Sequence, residues 1–219
     1  MEDRLALTSI VSSFLSLAHS LLEADNTQIR TAASYSLLQV SDRAEDTVKS
    51  SQSLSAMSGL ACLCLQSEEA RIAEQGCLVI SNILRGLDLE GHSECLGNIS
   101  QHLLSLTEPD SLTARTGSSV RQLAFTALSD LIDQEEQRRP QWLSAAAPLL
   151  LQRLDLLVSR EPSSAQNIDI SFNSSCLNSS IFRLDRAEVQ AMAAEILQVI
   201  CKMFDQPLHG GPPAKHPPE

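Results

Sequence analysis

The sequence predicts an all-α protein: a right-handed α-solenoid of about four helical hairpins, with one inserted loop and a disordered C-terminal tail. Three observations carry that expectation. Breakers are few, 8 Gly and 9 Pro in 219 residues, with several of the prolines at the very end. Aromatic residues make up only 3% of the chain while Leu, Ala and Ser abound, a composition suited to helices packed through small and aliphatic side chains. Above all, one helical pattern recurs four times. The 43% apolar content is enough for a sizeable core. The formal charge of -11, from 16 basic and 27 acidic residues, argues against a phosphate-backbone binder. Too few aromatics are present for a base-stacking surface.

The first element is the run Leu5 to Leu22, which contains no Lys, Arg, Asp or Glu. Leu7, Ile10, Val11, Phe14, Leu17, Leu21 and Leu22 recur at steps of three and four, with Thr8, Ser12, Ser16, His19 and Glu23 on the other side. A lipid-embedded helix would be apolar all round, and a signal peptide begins with basic residues, whereas Glu2 and Asp3 outweigh Arg4 here. A packed helix is expected. Without secretion, the sequons at Asn98, Asn173 and Asn178 carry no meaning.

The repeat is anchored on Ile29, Ile72, Val120 and Val189. Four residues after each stands a small residue (Ala33, Gly76, Ala124, Ala193), eight after an aliphatic (Leu37, Ile80, Leu128, Leu197), and eleven after another (Val40, Ile83, Leu131, Ile200). These offsets hold one face of a helix to a core. The small residue permits two helices to cross closely. Asp25, Glu68, Thr116 and Asp185 precede the anchors by four and serve as start signals. The first two intervals between anchors are 43 and 48 residues, and the third is 69. The excess is assigned to a Ser/Asn-rich loop inserted at 161–182. An apolar partner helix precedes each anchor: Arg4 to Glu23, Thr47 to Gln66, Cys95 to Leu106 and Gln141 to Ser159. Pro140 suits a first turn, and Pro148 should kink or split the last of these helices. The repeat domain is expected over 1–205, with repeats at about 4–42, 47–86, 95–134 and 141–205. Residues 206–219 form a Pro/Gly-rich tail with no core to join.

Four of these stretches carry a family resemblance. Ile72 to Ile83, IAEQGCLVISNI, resembles the last helix of an armadillo repeat, and Val120 to Leu131, VRQLAFTALSDL, is nearly as close, with Asp130 in place of Asn. Asp25 to Ala33, DNTQIRTAA, is similar to the HEAT pattern of Asp, then aliphatic-Arg, then Ala. Asp185 to Ala193, DRAEVQAMA, keeps all but the Arg. The resemblance spans residues 4 to 205 and implies an armadillo/HEAT-type solenoid. The short first helix of the armadillo triplet is not evident. The only tryptophan, Trp142, lies outside the anchored helices, so recognition of import signals is not implied.

The resemblance implies a groove lined by the last helix of each repeat, with a polar residue ten positions after the anchor clamping an extended peptide. That offset holds Gln39, Asn82, Asp130 and Val199, and Asn82 is the strongest candidate. Arg30 and Arg121 share the position after the anchor: either a cationic stripe or, more in keeping with such arginines, pairing with an acid on the next repeat. Ile168, Ile170 and Phe172 alternate with polar residues in the inserted loop, which suits an edge strand or docking strip. The acidic run Asp130, Asp133, Glu135 and Glu136 reads as a solvated helix end.

Six cysteines are scattered without a C-x-x-C pair, which fits buried thiols in a reducing compartment. Neither a metal site nor a cofactor motif is present; His92 and Cys95 supply two potential ligands and nothing completes the set. Catalytic motifs are likewise missing. The expectation is a non-enzymatic interaction scaffold of the cytoplasm or nucleus, with protein partners, no nucleic acid and no membrane. A Leu-rich first helix suggests self-association or continuation of a longer solenoid. The competing reading is a helical-bundle regulatory subunit that binds through one apolar face.

Overall fold

A computed structural model describes residues 2–43, 51–85, 93–108, 118–134, 141–160 and 164–205. Among these residues there are nine α-helices and no strand: α1 (Glu2–Leu22), α2 (Thr27–Arg43), α3 (Ser51–Leu65), α4 (Ala70–Arg85), α5 (Ser93–Leu106), α6 (Ser118–Gln134), α7 (Gln141–Val158), α8 (Ser164–Ile181) and α9 (Arg186–Asp205). Each odd helix pairs with the even helix after it, and each hairpin stacks on the one before. The odd helices form one layer and α2, α4, α6 and α8 the other, with a continuous apolar core between them. This is the α-solenoid read from the sequence. None of the described helices is long and apolar enough to cross a membrane.

Polar ties run from hairpin to hairpin at nearly constant sequence separation. The Ser34 hydroxyl donates to the Gln75 side-chain carbonyl and Ser119 to the Glu74 carboxylate. Asn82 Nδ2 donates to Ser41 Oγ at 3.1 Å. In the odd layer, Ser144 donates to Glu188 at 2.7 Å and Lys202 Nζ to Asp155 Oδ1 at 2.6 Å. The small residue four after the anchor does what its size suggests. Gly76 is buried where α4 crosses α3, and a Cβ there would lie 2.8 Å from Cys64 Cβ and 3.2 Å from the Ala61 carbonyl oxygen. Ala33 and Ala124 are buried at the same position on α2 and α6.

The fourth repeat differs from expectation. Residues 164–181 are not an inserted loop but helix α8, and Arg121 on α6 pairs with its Asp169. Register along the even layer then runs Ile29, Ile72, Val120, Asp169, with intervals of 43, 48 and 49 residues. The stripe on α8 was illegible because its core positions are Asp169, Asn173, Leu177 and Ser180, polar at three of four yet all buried. Val189 and Ala193 belong instead to α9, an odd-layer helix packed on α7. There Ala193 is exposed, and Val199 points into the core.

Local details also shift. Asn26, not Asp25, caps α2, its Oδ1 accepting from the Gln28 and Ile29 amides at 2.8 and 3.3 Å. Ser67 Oγ accepts from the Glu69 amide at 3.2 Å ahead of α4. Asp185 does cap α9, in a reciprocal box: the Glu188 amide donates to Asp185 and the Asp185 amide to Glu188. Helix α7 runs through Pro148 without a break, because Pro148 and Ser144, whose carbonyl loses its donor, both lie on the exposed side. Thr116, His92, Glu135, Glu136 and the tail 206–219 lie outside the described residues.

Candidate partner-binding face

Even helices lie close against one another along the whole layer, whereas α5 and α7 scarcely meet. The even helices are the more closely packed layer and are termed the inner layer. Arg153, itself buried, spans the gap between α5 and α7: it donates to the Leu104 carbonyl at 2.6 Å, to the Thr107 hydroxyl, and to Glu108 Oε1 at 3.2 Å. It thereby satisfies the end of α5 from the next hairpin. Burial pulls its pKa below the usual arginine value, and the Glu108 carboxylate opposes that shift.

The solvent side of the inner layer is set by helical register. Positions 6 and 10 after each anchor point outward between the core positions 4, 8 and 11. Position 10 holds Gln39, Asn82, Asp130 and, on α8, Ser179 in place of the expected Val199; all four are half-buried and follow one another across the layer. Asn82 is oriented by its bond to Ser41. Asp130 lies 3.9 Å from the Arg85 guanidinium, and Asp133 lies 3.5 Å from that of Arg183. Position 6 holds Tyr35, 53% exposed, and Leu78, 37% exposed, at the same register on the neighbouring helices α2 and α4. The sequence reading missed both. Their signal was an apolar residue at a solvent offset, two residues past the small one.

The remaining candidates serve other ends. Arg30 reaches back to the end of α1, donating to the Ala24 and Asp25 carbonyls at 2.9 and 3.2 Å and to Thr27 Oγ1 at 3.1 Å. Arg121 gives two hydrogen bonds, 3.0 and 2.8 Å, to Asp169 Oδ2, so it is engaged with the adjacent repeat. Ile168, Ile170 and Phe172 form no period-two strip, because they sit on a helix. Ile168 is exposed on the inner side, while Ile170 and Phe172 pack partly against the core. The thiols of Cys64 and Cys77 are pushed up to about 12, and those of Cys62 and Cys176 to about 11, chiefly by burial. They are apolar packing groups at neutral pH.

No protein-family model matches the sequence, and no curated protein is significantly similar to it. Among solved structures, a crystal structure of importin beta in an ammonium sulfate condition superposes with a TM-score of 0.71 at 19% identity, covering 95% of this chain. The chain spans 25% of the length of that importin beta chain. The likeness shows a fold of the HEAT-repeat solenoid type, in agreement with the resemblance read from the repeats.

Proposed function

We propose that this chain is a protein-interaction scaffold whose inner face, from α2 to α6, binds an extended segment of a partner protein. The observation that carries the reading is the exposed Tyr35–Leu78 pair bordered by Gln39 and Asn82. An apolar side chain of the segment rests on Tyr35 and Leu78, and the two amides meet its backbone, giving and accepting hydrogen bonds without demanding a sequence. Asp130 and Asp133 continue the face with negative charge, which favours a segment with a basic residue beyond its apolar one. Arg30 and Arg121 act by holding hairpins in place. This reading places the protein among non-catalytic adaptors of the cytoplasm or nucleus.

The test is selection of binding segments from a random peptide library against the full chain, followed by calorimetry. Selected peptides should share an apolar residue. Tyr35→Ala should weaken them by about 1–2 kcal/mol, near tenfold, and Asn82→Ala by less. Circular dichroism should show both variants folded. Peptides that bind both variants as well as the parent would refute the inner-face site.

A further inference from the structure

Helix α9 displays a second apolar surface, turned to one side of its contacts with the array. Glu188 and Lys202 tie it to α7, and Met192 and Val199 are buried against the array. The second surface shows Ala193, Leu197, Ile200 and Phe204, spaced i, i+4, i+7 and i+11. Leu197 is 63% exposed, Ile200 41% and Phe204 85%. Ala193, Leu197 and Ile200 are positions the sequence marks as a core-facing stripe, Phe204 extends it by one turn, and among the described residues no helix covers them. Elsewhere in the array such a stripe on an odd helix is closed by an antiparallel even helix.

We propose that the stripe is covered by α9 of a second copy of this chain, packed antiparallel about a twofold axis. The stripe is self-complementary in that arrangement. With the axis between Gln198 and Val199, Leu197 meets Ile200 of the second copy, and Ala193, the smallest residue, meets Phe204, the largest. Small against large lets the helices approach closely at both ends of the seam. Charge points the same way. From Val189 to Phe204 the only ionised residues are Glu195 and Lys202, off the stripe, and Lys202 is engaged by Asp155. Two molecules of net charge -11 repel over most of their surfaces, and this neutral seam is one where they meet without like charges in contact.

Sedimentation of the full chain across a wide concentration range is the test. A reversible monomer–dimer equilibrium is expected. Leu197→Glu should abolish the dimer and leave helicity unchanged, with the melting temperature unchanged at concentrations where the parent is monomeric, because the side chain is exposed in the monomer. Ala193→Phe and Phe204→Ala should each weaken the dimer by at least about tenfold, and the double variant should restore most of the loss, since the exchanged sizes again face each other. A chain that stays monomeric throughout, a dimer indifferent to Leu197→Glu, or a double variant no better than the singles would overturn the proposal. So would a monomer whose stripe takes up a helix of a different protein.

Discussion

Helices α4 and α8 occupy equivalent places in the inner layer, yet they are built on opposite principles. On α4 the buried stripe is Ile72, Gly76, Ile80 and Ile83, and the backbone comes hard against α3 through the glycine. On α8 the same four places hold Asp169, Asn173, Leu177 and Ser180. Neither end of the Asn173 amide is hydrogen-bonded among the described residues, and Asp169 Oδ1 and Ser174 Oγ are in the same condition. The contrast teaches that position in a repeat array is enforced by neighbours. Helix α8 is held by Arg121 from α6 and by the apolar contacts of Ile170, Cys176, Leu177 and Ile181, without apolar residues at all four stripe places.

The largest effect expected from breaking this comparison is at the tight seam. Gly76→Val would drive a branched side chain into Cys64 and the Ala61 carbonyl, and should cost about 3 kcal/mol or more in chemical denaturation. A loss below about 1 kcal/mol would mean the seam yields easily. Next comes alkaline pH. The Cys64, Cys77 and Cys176 thiols keep their protons in the folded state up to about 11–12, whereas the unfolded chain releases them near 9.0. The unfolded state therefore binds fewer protons above pH 9, and stability falls as pH rises, by roughly 1 kcal/mol per thiol by pH 10. Counting Cys62, which is raised to about 11, three of the four such thiols lie in the α3–α4 hairpin, so replacing Cys62, Cys64 and Cys77 together with Ala should flatten most of that slope in denaturation midpoints measured from pH 8 to 10.5. The smallest effect is a gain. Asn173→Leu replaces an unbonded amide with an apolar group of similar size and should raise stability by about 1 kcal/mol. A loss on that substitution would show that the amide is satisfied in solution, through a bound water for instance.

Most of the array was legible from the sequence. The helices α2, α4 and α6 and those before them were found because aliphatic residues and small residues recur at fixed offsets; the structure buries the anchors Ile72 and Val120 and the small residues Ala33, Gly76 and Ala124, but leaves the anchor Ile29 exposed at the start of α2. Helix α8 escaped because serine and asparagine fill it and three of its four buried stripe positions are polar, so no helical period emerges from hydrophobicity alone. The pattern on α9 was read as a core-facing stripe, yet Ala193, Leu197 and Ile200 are exposed, because hydrophobic spacing does not say which layer a helix joins or whether another helix covers it. Of the candidate face, Gln39, Asn82 and Asp130 followed from the offset. Tyr35 and Leu78 did not, because an apolar residue at a solvent position looks like noise until its neighbour across the layer is known.

The hydrogen-bonded ties between helices of different hairpins have a consequence for how the chain acquires its shape. From Gln66–His102, 36 residues apart, to Cys176–Phe125, 51 apart, they reach only to the next hairpin. Such short loops cost little entropy to close, and topology of this kind favours rapid folding. A nascent chain leaving the ribosome can therefore settle each hairpin as soon as roughly the next 45 residues emerge, long before synthesis ends.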